Sequence, residues 1–388
     1  MKPTHVLFAC LSVAMLFACT KAADTTTTPS AGNDATPTPI PVFSTGQAAS
    51  LVVGQPDMTT VTSGVTTTKF TTPVGVHVSS AGKLYISEFS FSRVLQYNSI
   101  PTANGAAVDV VIGTTGTTAT DLTNPGGIST DDTYLYVADT NNTRLQVFPL
   151  PSADYPTASF SYGQASTSAV VNPTVSSSTM GPKNVFVVTS PSKKVIVADG
   201  AYHRVLIFNG TITSNKPAAN LVLGQVDMNN GASGVTKMNS PNGIWSDGTR
   251  LVIAEGNNHR VRIWNTFPTT DNQSPDVILG QPDGNTNIYN CDYGTAKAHC
   301  LYQPVSVTSD GTSLYVADSG NHRVLIWNTF PTTNQQAADK VLGQADLTSS
   351  TSGSTATTFN GPNALAYSNN QLFVSDAGNH RVLIFTKQ

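Results

Sequence analysis

Short apolar runs separated by clusters of turn-forming residues fill most of the chain, and one segment shows the pattern in full. Ser306-Val-Thr-Ser is followed by Asp310-Gly311, then Leu314-Tyr-Val-Ala, then Gly320-Asn321, then Val324-Leu-Ile-Trp and finally Lys340-Val-Leu-Gly. Runs of this length, rich in β-branched and aromatic side chains, predict four strands. Asp-Gly is the hairpin signal between the first two. Gly320-Asn321 is expected to supply positive φ between the second and third.

The same unit recurs along the chain. Six pairs place an acid five residues before an arginine: Glu88 and Arg93, Asp139 and Arg144, Asp199 and Arg204, Glu255 and Arg260, Asp318 and Arg323, Asp376 and Arg381. The arginines are 51, 60, 56, 63 and 58 residues apart. A proline precedes each acid (Pro73, Pro125, Pro182, Pro241, Pro304, Pro362), and glycine, usually as Gly-Gln, follows five of the arginines (Gly113, Gly163, Gly224, Gly280, Gly343). Four-stranded units at this period predict an all-β fold, a six-bladed β-propeller; a leucine-rich horseshoe would need shorter repeats and a helical pattern. The sixth arginine unit lacks a Gly-Gln segment behind it, while Leu51-Val-Val-Gly54-Gln55 stands spare before the first unit. The spare segment is therefore expected to be the fourth strand of the last blade, which leaves no open ring edge. The acid–Arg spacing and the Asn-His-Arg-Val-Leu-Ile wording resemble the NHL repeat over residues 48–388, with Glu88 and Phe91 making the first unit the weakest match. The resemblance implies a propeller of NHL-like blades.

The N-terminus follows a different pattern. Apolar residues run from Val6 to Ala18, too few to span a bilayer but enough for the core of a signal peptide. Leu16-Phe17-Ala18-Cys19 resembles the lipobox of bacterial lipoproteins. That resemblance implies cleavage before Cys19 and lipidation of its sulfur. Residues 20–45 hold eight Thr and four Pro and cannot bury enough surface to offset their ordering entropy. The organisation expected is a signal peptide over 1–18, a lipidated cysteine with an extended tether over 19–47, and the propeller over 48–388. The address expected is the cell envelope, lipid-anchored to a membrane; the outer membrane is favoured because Thr20 rather than Asp follows the cysteine.

Composition narrows the chemistry. Charged residues make up 11% of 388 positions, and 20 Lys+Arg stand against 23 Asp+Glu. No basic footprint for nucleic acid is left. Cys291 and Cys300, nine residues apart in an exported chain, read as a disulfide worth about 2.5–3 kcal/mol. A metal pair with His299 is the rival reading, but zinc generally wants four ligands, or three plus water. Repeat slots take His203, His259, His322 and His380, leaving His77 and His299 in the folded part. Gly-x-Ser-x-Gly, His-Glu-x-x-His and P-loop motifs do not occur. No catalytic residue, metal ligand or cofactor is assigned. The acid–Arg pairs are expected to fasten the turn between second and third strands as exposed or half-exposed contacts, each worth about 0.2–1 kcal/mol.

Two near-duplicates, Ile263-Trp-Asn-Thr-Phe-Pro-Thr-Thr270 and Ile326-Trp-Asn-Thr-Phe-Pro-Thr-Thr333, read as blade duplication with Trp264 and Trp327 in the core rather than as ligand contacts. The long loops between blades vary most, and Gly284 to Gln303 is the largest excursion. Variable loops on a rigid ring are where recognition usually resides. The expected function is an exported, lipid-anchored binding or scaffold module that takes a protein or glycan ligand through these loops. The alternative is a propeller hydrolase or lyase with a central-channel site near His77.

Overall fold

A computed structural model describes residues 41–171, 174–211 and 213–388. They form six four-stranded antiparallel sheets. In the fifth, Pro304–Ser309, Leu314–Asp318, Arg323–Trp327 and Lys340–Leu342 pair in chain order, the four strands anticipated there. Each first strand packs against the first strands of both neighbours, the sixth against the first, so the inner strands close a ring. The fold is a six-bladed β-propeller.

Hydrophobic burial explains the strand composition. Six apolar clusters fill the spaces between successive blades; one joins Leu95 and Ile86 of the first blade to Phe373 and Ile384 of the sixth. Each blade therefore packs on two sides, and both faces of its middle strands are apolar. Trp264 and Trp327 lie in these inter-blade cores, 1% exposed. Their indole N–H groups donate to Gln273 O and Gln336 O, each at 3.1 Å. They are core residues, as duplication implies.

Leu51–Val53 joins the last blade antiparallel to Arg381–Thr386, pairing Val52 with Leu383. The preceding residues also belong to the folded ring. Phe43 is buried at 2% exposure, Val42 and Gln388 exchange two backbone hydrogen bonds, and Gly46 N donates to Val341 O. The boundary expected at residue 48 thus moves to Pro41, because Phe43 finds an apolar seat beside Tyr315. The signal peptide, Cys19 and the tether up to residue 40 lie outside the described residues. Among those described, no helix is long and apolar enough to cross a membrane.

One local expectation is corrected. Positive φ in the turn after the second strand falls not on Gly320-Asn321, which form a short 3-10 turn, but on His322 at +52°. The same site is taken by Ser92, Thr143, His203, His259 and His380. In five blades the residue two before proline donates its N–H to the repeat acid, and in the third blade Gly181, directly before Pro182, does so. Pro182 stands 17 residues before its acid, against 14 or 15 in the other blades, and the first strand of this blade begins beyond it, at Asn184.

Candidate functional site

All six acid–Arg pairs form, with N–O distances between 2.5 and 3.2 Å. They are not surface contacts: every acid is fully buried, and so is every arginine except Arg93, at 11% exposure. The reason is their second task. Every guanidinium but that of Arg93 reaches past its acid to the loops on either side of its blade. Arg323 Nη2 donates to Lys297 O and Cys300 O of the incoming loop, and its Nη1 to Leu347 O of the outgoing one. Arg204 does the same with Ser176 O, Thr179 O and Met228 O. The loops cover the pair that holds them. Arg93 makes only its contact with Glu88 and leaves Nη2 buried without a partner. Burial pushes the carboxyls of Asp139 and Asp376 upward, and that of Asp199 to about 6, against the pull of their arginines.

The words around each pair have separate roles. Asn142, Asn258, Asn321 and Asn379 donate Nδ2 to the acid three residues earlier. The histidines tie one blade to the next: Nδ1 of His203, His259, His322 and His380 accepts the N–H of Ser240, Gln303, Gly361 and Thr72. Burial lowers the pKa of all four. The Gly-Gln glutamine, recognisable in sequence but without a role there, binds the carbonyl of that same histidine and of the loop residue seven positions on. Gln281 takes His259 O and Ile288 O, and Gln55 takes His380 O and Thr62 O. Inter-blade loops and acid–Arg turns accordingly share one face.

The disulfide loop is the most elaborated element on that face. Arg260 holds its start through Gly284 O at 2.8 Å, and Arg323 holds its end. Cys291 and Cys300 are bonded, with Cα atoms 5.7 Å apart. His299 lies beside them, within 4.8 Å of both sulfurs, but each sulfur is already bonded to the other, so the metal-pair reading gives way to the bridge. Inside the loop Asn290 and Asn321 exchange side-chain hydrogen bonds. Sequence reading missed the cluster of rings here. Tyr289 and Tyr302 stack at 4.6 Å, Tyr293 meets Tyr289 edge-on at 5.0 Å, and His259 abuts both members of the stack. The three tyrosines are visible in sequence, yet only folding brings residues 289 and 302 together.

The central channel offers a second place to look. A cavity of about 160 Å³ is lined by first strands of all six blades, mainly by Val, Ile, Ala and Gly, with His77 and Tyr367 among the polar exceptions. His77 Nε2 is within 3.1 Å of Thr130 Oγ1 and accepts the Thr130 N–H at 3.3 Å. Burial pushes its pKa down to about 4. The imidazole is thus a neutral strut between the first two blades.

The opposite face, built from first hairpins and third-to-fourth-strand loops, is laced by ion pairs: Lys193 with Asp131, Lys387 with Asp310, Arg250 with Asp247. Exposed apolar surface gathers on the acid–Arg face instead. Of nine large apolar side chains exposed among the described residues, seven belong to it: Val61, Val65, Phe91, Val170, Val171, Val226 and Tyr293.

Residues 359–385, in the sixth blade, match the NHL repeat family. No curated protein sequence matches the chain. Among solved structures, virginiamycin B lyase from Staphylococcus aureus aligns with a TM-score of 0.46 at 10% identity, covering 81% of this chain and 95% of that one. A PQQ-bound aldose sugar dehydrogenase from Streptomyces coelicolor gives 0.47 at 13%, covering 84% and 95%. A protein of unknown function from Desulfotomaculum acetoxidans gives 0.48 at 12%, covering 81% and 82%.

Proposed function

We propose that this NHL-repeat propeller is a binding or scaffold module, exported and lipid-anchored through Cys19, that recognises its partner with the loops of the acid–Arg face. The observation that carries the reading is the asymmetry of exposed apolar surface, seven residues of nine on one face. Exposed apolar side chains carried by the variable loops of one face favour that face for recognition, and the buried arginines preorganise the loops that present them, which lowers the entropy lost on binding.

Capture from envelope extract tests the site. Replacing residues 285–296 of the full chain by a Gly-Asn turn, with Cys300 changed to Ala, is expected to abolish capture while circular dichroism keeps the wild-type β spectrum and melting stays cooperative, at a temperature lowered by loss of the bridge. Equal capture by the two proteins would sink the reading. The anchor has its own test: Cys19→Ser should shift the protein out of the detergent phase, and unchanged partitioning would remove the lipid from the account. His77→Ala addresses the channel-enzyme alternative. Turnover that depended on this residue, together with capture that did not depend on the loop, would favour the enzyme.

A further inference from the structure

The disulfide loop holds features that a generic recognition loop does not need. Tyr293 is 61% exposed, yet its backbone sits at φ +60°, with Asn290 at +51° and Cys291 at +67°. A bulky residue in this region is strained and persists only where its surroundings over-determine it. Here they do: the disulfide, the Asn290–Asn321 exchange and the clasps of Arg260 and Arg323 all fix the segment. Gly320 permits the arrangement from below, since a Cβ there would lie 2.6 Å from the Tyr302 ring.

The chemistry of the presented surface is specific. Its three phenols make no hydrogen bond among the described residues, whereas Tyr136, Tyr315 and Tyr367 donate to Asp131, Asp310 and Asn370. Because His259 Nδ1 accepts the Gln303 N–H at 3.2 Å, the proton of the neutral imidazole is on Nε2, a further donor beside the stacked pair. The charges within residues 284–303 are Asp292 and Lys297, which pair with each other at 2.5 Å. A cation would be drawn to aromatic faces, but the one carboxylate here is already neutralised. Flat rings for apolar contact, free hydroxyls around them and no net charge fit a neutral ligand with an apolar face and a hydroxylated edge.

We propose that Tyr289, Tyr293 and Tyr302 form a preorganised platform for the pyranose rings of a neutral oligosaccharide. This rests on the reading that the acid–Arg face binds, and it specifies what is bound. Calorimetric titration of the full-length protein with chitohexaose, cellohexaose and maltohexaose tests it. At least one hexasaccharide is expected to saturate. Tyr293→Ala should weaken it by about tenfold or more, the scale of one lost aromatic contact. Tyr293→Phe, which keeps the ring, should stay within about threefold, and Lys193→Ala on the opposite face should change nothing. Melting curves of the variants confirm folding, since Tyr293 lies outside the core. No binding of any of the three sugars at millimolar concentration, or equal affinity for wild type and Tyr293→Ala, would overturn the platform. If sugars fail while loop-dependent capture of an envelope protein persists, the platform falls and the broader function stands. Sugar binding that survives both Tyr293→Ala and loop replacement sinks the two together.

Discussion

Arg323 joins a fully buried ion pair to three loop carbonyls, and removing it leaves Asp318 charged, buried and without its strongest partner. Arg323→Met is therefore expected to cost about 3–5 kcal/mol in urea unfolding. Lys297→Ala, which breaks the exposed pair with Asp292, should leave the unfolding midpoint unchanged. Equal effects would show that burial does not set the worth of these pairs. The repeat histidines give a pH term of definite sign. Their folded pKa values lie below the unfolded value of about 6.5, so the unfolded chain binds more protons in that window. Stability from the four inter-blade bonds is thus present above pH 6.5 and lost as pH falls through the depressed folded values. The buried carboxyls, raised in the folded state, act in the opposite sense and are common to wild type and variant. Changing all four histidines to Asn, which tolerates left-handed backbone and offers an acceptor, should make the acid side of the stability profile shallower than that of wild type. An unaltered slope would refute the histidine role. The pairs themselves were legible, because a five-residue spacing repeated six times leaves little else to conclude. Their burial was not: the loops that cover Arg204 come from residues 24 to 28 positions away, a distance no local pattern encodes.

At the level of the element, strands and hairpins could be read from runs such as Leu314-Tyr-Val-Ala, since burial between two blades demands apolar residues on both sides. The loops could not, because their order comes from single residues with long reach. Gly343 illustrates this. It takes φ +84°, and a Cβ there would meet the Phe359 ring at 2.0 Å; Gly280 and Leu301 repeat the arrangement. The recurring glycine exists so that an apolar residue ahead of the next blade can plug the loop. Gly343→Ala should destabilise by clearly more than 1 kcal/mol, combining left-handed strain with a ring that must move. Gly82→Ala, with positive φ but open space around it, should cost less. Thermal melts of the two variants decide, and a larger loss at Gly82 would show that strain rather than the plug dominates. The tyrosine platform escaped sequence reading for the same reason: Tyr289 and Tyr302 meet only after Arg260, Arg323 and the disulfide have folded the chain back on itself.

For the whole molecule, the closing strand was legible from a surplus at one end and a deficit at the other. Its extension to Phe43 was not, since a lone aromatic in a Thr/Pro-rich stretch carries no period. Deleting residues 41–56 should lower the melting temperature and promote self-association, because it exposes the outer edge of the third strand in the last blade. Deleting 22–40 should leave both unchanged. Matching melts for the two deletions would exclude N-terminal closure as a source of stability. The joint also has a consequence in time. Ser50 and Ile384, which it brings together, are 334 positions apart, so within the propeller the first strand to be made waits for the last. A product cut short before its final strand cannot close. It remains an arc with an unpaired strand at each end, whereas the closed ring hides both, and sealing of the circle reports that all six blades have been made.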